Sequence, residues 1–260
     1  MANTFKDTAI FLNNAEKEKK DIKKITLDKH PDLSIEDAYQ IQQELINLKL
    51  NEGHKIIGPK MGLTSEAKLK QMNVEDPIYG YMFDYMVLSH GETLHMDELI
   101  HPKAEPEIGF ILKHDLEGPG ITAVQVLEAT DYVFPAVEII DSRYENFNFT
   151  LPDVISDNTS ASRVIFGSDI VKPTNLELDL AGVTLSINGE IKSLGAGAAV
   201  LGHPAYSIAR LANMLAENGE KVKAGQPILS GAITQAMLLS KGDYVNAKIG
   251  GIGEVDFIVR

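Results

Sequence analysis

Glu105 and Glu107 stand one residue apart in the run His101-Pro102-Lys103-Ala104-Glu105-Pro106-Glu107-Ile108-Gly109-Phe110, which leads straight into an apolar segment. If this run is a strand, Glu105, Glu107 and Gly109 share one face, and Ile108, Phe110 and Leu112 share the other. Two carboxylates then aim at one point and repel, which suits either a face open to water or a cation held between them. Pro106 has no ladder donor and places this end at a strand start, an edge or a bulge. A third acid, Glu138, lies inside Phe134-Pro135-Ala136-Val137-Glu138-Ile139-Ile140. An unpaired carboxylate among such residues costs several kcal/mol or loses its charge, so Glu138 needs a partner. One hard divalent cation, Mg2+ or Mn2+, would satisfy all three acids through oxygen ligands. The bland alternative is a solvated strand edge for Glu105 and Glu107, with nearby Arg143 pairing Glu138. Residue types alone leave both readings open.

Other candidates are weaker singly. Lys60, in Gly58-Pro59-Lys60-Met61-Gly62, reads as a lysine in a glycine-flanked turn, able to reach a substrate carboxylate or to be a plain surface lysine. Asp157-Asn158-Thr159-Ser160-Ala161-Ser162-Arg163 suits a substrate-facing loop or a capped turn. The small-residue run at 195–202 offers amides before a helix but no Walker lysine, so no nucleotide site is read there. His203 before Pro204 reads as a packed or capping residue, and His101 as a residue supporting the glutamates. Gly231-Ala232-Ile233-Thr234 is a second amide-lined loop or a hairpin turn.

The elements that must position these residues fall into two regions. Ile10, Phe11 and Leu12 open a helical pattern, and the charge-rich run from Glu16 to Lys24 reads as its solvated face. Ser34 with Asp37 makes a helix start, Ala38, Ile41, Leu45 and Leu48 follow at helical spacing, and Gly53 ends the helix. From Ile56 on, short apolar runs broken by Gly, Pro, Asn and Asp indicate a β-rich body. Within it, 76–80 reads as a turn-rich connection and Thr122 with Gln125 as the cap of a short helix. A strand is expected over 132–140, and Asn188-Gly189 is a hairpin turn. Pro204 opens a helix that Gly219 ends, and two strands flank Gly250-Gly251. The expectation is an α+β protein: a helical N-terminal region, residues 1–54, and a β-rich catalytic domain, residues 55–260, whose strands present the glutamates at one mouth.

A chain of 260 residues with 44% hydrophobic and 23% charged residues has ordinary globular composition. No run is long enough to span a bilayer and no signal-peptide pattern begins at Met1, so the expected location is cytoplasmic. A net charge of −13 argues against nucleic acid or an anionic membrane as the main partner, though not against a small anion at a locally positive site. With no cysteine, there is no thiolate nucleophile or cysteine-ligated zinc, and any metal must sit on oxygen or imidazole.

Taken together, the ordered motifs Gly58-Pro59-Lys60-Met61-Gly62-Leu63-Thr64-Ser65, Pro102-Lys103-Ala104-Glu105-Pro106-Glu107-Ile108, Pro135-Ala136-Val137-Glu138, Asp141-Ser142-Arg143, Asp157-Asn158 and Leu201-Gly202-His203-Pro204 resemble the fumarylacetoacetate hydrolase superfamily. Within it, they resemble the hydratase and decarboxylase branch of catechol meta-cleavage pathways. The resemblance covers nearly the whole chain and implies that Glu105, Glu107 and Glu138 hold Mg2+ or Mn2+, with Lys60 in the active site. Arg143, Asn158 and Ser160 are expected to contact the substrate or to support residues that do. Pro106 and the 195–201 run look more like the decarboxylases, so the implied reaction is loss of CO2 from 2-oxo-3-hexenedioate, a small 2-oxo dicarboxylic acid, to give 2-hydroxypenta-2,4-dienoate. A 2-oxopent-4-enoate hydratase is the alternative, followed by a fumarylpyruvate-type carbon-carbon hydrolase and by a non-catalytic metal-binding relative. The resemblance also implies a homo-oligomer or a complex with a sister hydratase.

Overall fold

Ser34 Oγ accepts from Asp37 N at 3.0 Å and starts the helix Ile35–Asn51, which Gly53 ends at φ +97°. The computed structural model describes residues 2–66, 69–70 and 76–260. A first helix, Ala2–Glu18, and a single turn, Ile25–Asp28, precede this one. Ala9, Leu12, Ile25, Ile41 and Leu45 close over Tyr144 as a small apolar cluster. The charge-rich run is helical only as far as Glu18. Beyond it the backbone extends, because Ile22 bridges the body: Ile22 N donates to Arg143 O at 2.8 Å and Glu145 N to Ile22 O at 2.9 Å. Glu16 is half-buried against Lys49, 2.9 Å away, and is no solvated face.

Thirteen strands are described, in chain order β1 Ile56–Gly62, β2 Ile78–Phe83, β3 Val87–Ser89, β4 Thr93–Leu94, β5 Lys103–Leu112, β6 Thr130–Ile140, β7 Ala161–Phe166, β8 Gly182–Ile187, β9 Glu190–Ala196, β10 Pro227–Leu229, β11 Met237–Leu238, β12 Tyr244–Ile249 and β13 Gly253–Val259. Eight make one sheet in the order β2-β1-β10-β5-β6-β7-β3, with β11 also on β5. The other five form β4-β13-β12-β8-β9. The two sheets bury Val137, Ile139 and Ile165 against Val245, Val255 and Phe257. The helix Pro204–Glu217 lays Ile208, Leu211 and Leu215 on Ile108 and Phe110 of the larger sheet. Thr122 and Gln125 form the capping box of the helix Ala123–Ala129, and Asn188-Gly189 turns between β8 and β9.

Two glycine-rich stretches read as turns are strands. Residues 58–62 lie in β1, between antiparallel β2 and parallel β10. Gly58 is there for close approach, since a Cβ on it would sit 1.8 Å from Pro227 O. Residues 78–80 begin β2, and Gly80 pairs with Lys60.

Candidate metal centre

The β5–β6 ladder sets Glu105 opposite Glu138 and Glu107 opposite Ala136, so the three acids share one face of the sheet. They are 6%, 0% and 1% exposed, and one oxygen from each lies within 4.8 Å of the others. The apolar residues of β5, Ile108 and Phe110, take the opposite face, as period-two alternation requires. The wet-edge reading fails on burial.

Lys60 is also buried, and its Nζ lies 2.9 Å from Glu138 Oε1 and donates to Thr159 O at 3.1 Å. The partner of Glu138 is therefore Lys60 and not Arg143. Arg143 spends its guanidinium elsewhere: Nε pairs with Asp157 Oδ1, and Nη1 donates to Asp141 O at 2.9 Å and to Ala161 O at 3.0 Å. Burial pushes the Asp157 carboxyl up to about 7 against the pull of Arg143. With its donors committed to this pair and to carbonyls, Arg143 braces the loop and has no fork to offer a substrate.

Asn158 is also structural. Its Oδ1 accepts from Tyr81 N at 2.8 Å and its Nδ2 donates to Tyr81 O at 2.9 Å, so one side-chain amide stands in for a strand along β2. The turn that carries it is left-handed over three residues, with φ of 47° at Asn158, 51° at Thr159 and 59° at Ser160. That twist delivers the Thr159 carbonyl to Lys60. Gly80 makes it possible, because a Cβ there would meet Thr159 Oγ1 at 2.4 Å and Asn158 Oδ1 at 2.7 Å. Ser160 ties the loop through its carbonyl, which accepts from Asp141 N at 2.9 Å, and its buried Oγ has no hydrogen-bonding partner among the described residues. His203 caps its helix, Nδ1 accepting from Ala205 N at 3.0 Å, and the His101 ring lies 4.8 Å from that of Phe147.

Sequence reasoning missed Thr159, which acts through its carbonyl and so leaves no side-chain signal. It singled out the 231–234 loop for its amides but not their target: Gly231 N donates to Glu107 Oε2 at 2.7 Å.

Among the described residues, the Lys60 ammonium lies against Glu138 in a cluster of three carboxylates. Burial, then the charge of Glu138, holds Glu107 well above the usual carboxylate range, and burial raises Glu138 despite Lys60. Glu107 Oε1 and Glu138 Oε2 are buried with no hydrogen-bonding partner among the described residues. Unused oxygens, excess negative charge and an all-oxygen donor set fit a hard divalent cation such as Mg2+ or Mn2+.

A mixed two-sheet body with convergent buried carboxylates and a buried lysine defines the class as an α+β enzyme fold with an oxygen-donor cation site. Residues 58–260 match the family model described as fumarylacetoacetate (FAA) hydrolase C-terminal, and the chain belongs to that family. It is 49% identical over 244 residues to a 4-oxalocrotonate decarboxylase of Pseudomonas sp. (strain CF600), spanning 94% of this chain and 92% of that protein. It is 39% identical over 250 residues to a 2-oxo-hept-4-ene-1,7-dioate hydratase of Escherichia coli, spanning 94% and 93%. The solved structure of 4-oxalocrotonate decarboxylase from Pseudomonas putida G7, complexed with magnesium and adipate, superposes with TM-score 0.97 at 44% identity, covering 100% of this chain and 98% of that one.

Proposed function

We propose that this chain is a carboxy-lyase dependent on Mg2+ or Mn2+ that converts 2-oxo-3-hexenedioate to 2-hydroxypenta-2,4-dienoate and CO2, as in meta-cleavage degradation of aromatic compounds. The observation that carries the reading is the buried triad Glu105, Glu107 and Glu138 beside Lys60, in a chain similar from end to end to 4-oxalocrotonate decarboxylases. The three glutamates hold the cation. When bound, it supplies a fixed positive charge for the carboxylate and 2-oxo oxygens of the substrate and for the negative charge that develops there.

The remaining work belongs to the chain. As the bond from C5 to the remote carboxylate breaks, its electron pair runs through the C3–C4 double bond toward the 2-oxo oxygen, CO2 leaves, and that oxygen takes up one proton to give the 2-hydroxy dienoate. Lys60, held by Glu138 and the Thr159 carbonyl, places an ammonium beside the reacting acid and offsets its charge. Burial of these side chains strengthens the contacts between them. The partner is thus a small anionic diacid, and among the described residues no helix is long and apolar enough to cross a membrane.

The test supplies purified protein with 2-oxo-3-hexenedioate and Mg2+. One CO2 per diacid together with the dienol is expected. Uptake of water by the dienol with no CO2 from the diacid marks a hydratase and refutes the assignment.

A further inference from the structure

β10 and β11 both pair with β5, yet the chain between them does not. β10 pairs with Gly109, Phe110 and Ile111, and β11 pairs with Lys103 and Ala104. The part of β5 that carries Glu105 and Glu107 is therefore left without a regular ladder partner on that side. Three amides of the departing chain still reach back. Ser230 N donates to Ile108 O at 3.3 Å and Ile233 N to Pro106 O at 3.1 Å. Between them, Gly231 N donates to the Glu107 side chain, reaching Oε2 at 2.7 Å. One backbone donor of the sheet has been turned from a carbonyl onto a carboxylate, as an opened bulge allows.

Two features hold that amide in place. Gly231 has φ +107°, a conformation that side chains rarely adopt, and a Cβ there would lie 2.1 Å from Thr64 Oγ1. Thr64 cannot easily give way, because it is buried and its carbonyl accepts from Leu201 N at 3.0 Å. Gly231 thus sits where only glycine fits, wedged by a residue that a third segment fixes.

The consequence falls on Glu107. Its Oε2 is engaged by the amide, while its buried Oε1 has no hydrogen-bonding partner among the described residues. We infer that Gly231 is a positioning residue that commits Glu107 to coordination through one oxygen, biasing the site toward a small cation such as Mg2+ over Ca2+. Mg2+ demands near-octahedral geometry at about 2.0–2.1 Å, whereas Ca2+ accepts more ligands, longer distances and two-oxygen carboxylates. A Glu107 released from the amide is free to turn both oxygens inward, which favours the larger ion. The inference rests on the metal site proposed above.

Calorimetric titration of Mg2+ and of Ca2+ into chelator-stripped protein tests it without reference to turnover. In Gly231→Ala, Mg2+ affinity falls about 10-fold or more, the usual effect of losing a group that orients a ligand. Ca2+ affinity falls less, so the preference for Mg2+ narrows. Thr64→Ala, which removes the wedge and keeps the glycine, narrows it in the same direction by a smaller factor and serves if Gly231→Ala does not fold. The double variant Thr64→Ala/Gly231→Ala regains part of the lost Mg2+ affinity, because the nearest clash is gone. Equal losses for both ions, or an unchanged preference in Thr64→Ala and Gly231→Ala alike, overturns the inference. Failure of the wild-type protein to bind either ion overturns the metal site itself.

Discussion

Glu107→Gln has opposite expected effects with and without metal. The replacement keeps the shape of the side chain and an oxygen to accept from Gly231 N, and removes one carboxylate from the cluster of three that Lys60 lies against. Without metal, burial and the charge of Glu138 hold the folded-state pKa of Glu107 well above the ordinary value. A carboxyl raised in this way contributes stability that is fully present below its unfolded pKa and is lost as pH rises through its folded pKa. Each unit of that difference corresponds to about 1.4 kcal/mol. At pH 8, metal-free Glu107→Gln should therefore be more stable than wild type, each kcal/mol of the gain raising Tm by roughly 2–4 °C for a chain of this size. The gain should vanish near pH 4. With saturating Mg2+ the order reverses, because the variant has lost an anionic ligand and the stabilisation that comes with occupancy. Thermal melts in chelator and in Mg2+, at pH 4 and pH 8, give the four numbers required. A metal-free variant less stable than wild type at pH 8, or an unchanged Mg2+-induced shift, refutes the reasoning.

Three further outcomes follow from the same geometry. Lys60→Met leaves Glu138 without its ion pair, and kcat should fall about 100-fold or more while the metal-free protein still folds, read by steady-state kinetics and circular dichroism. Mg2+ should bind more weakly as pH falls, because Glu107 and Glu138 are both raised in the metal-free protein and protons compete with the cation; calorimetric titration over a pH series measures it, and a pH-independent affinity contradicts the prediction. Gly80→Ala places a Cβ 2.4 Å from Thr159 Oγ1, and denaturant melts should show a loss of about 1–3 kcal/mol together with lower kcat, since the displaced carbonyl no longer holds Lys60.

Where a contact depends on local spacing, it can be read from the sequence. The shared face of Glu105 and Glu107 follows from strand alternation, the caps at Ser34 and Thr122 from their partners three residues on, and the need of Glu138 for a partner from its apolar surroundings. Which residue serves as that partner depends on the third dimension. Arg143 is five residues away along the chain and engages Asp157, whereas Lys60 arrives from a strand 78 positions earlier. Glycines at 58, 62 and 80 mimic turns in sequence, but at 58 and 80 they serve close approach, to Pro227 O and to the Thr159 hydroxyl and the Asn158 side chain and carbonyl. Asn158 looks like a substrate contact because it is polar and lies among small polar residues. Its amide is used up on the Tyr81 backbone, a role visible only once β2 and the 157–160 loop are side by side.

The most direct measurement is CO2 release from 2-oxo-3-hexenedioate by chelator-stripped wild-type protein as Mg2+ is added back. CO2 should be absent at the start, rise to saturation with the occupancy of one cation per chain, and fail to rise at the same concentrations in Glu107→Gln. Full CO2 release before any Mg2+ is added, or identical titration curves for wild type and Glu107→Gln, would contradict a cation held by Glu105, Glu107 and Glu138 as the agent of the reaction.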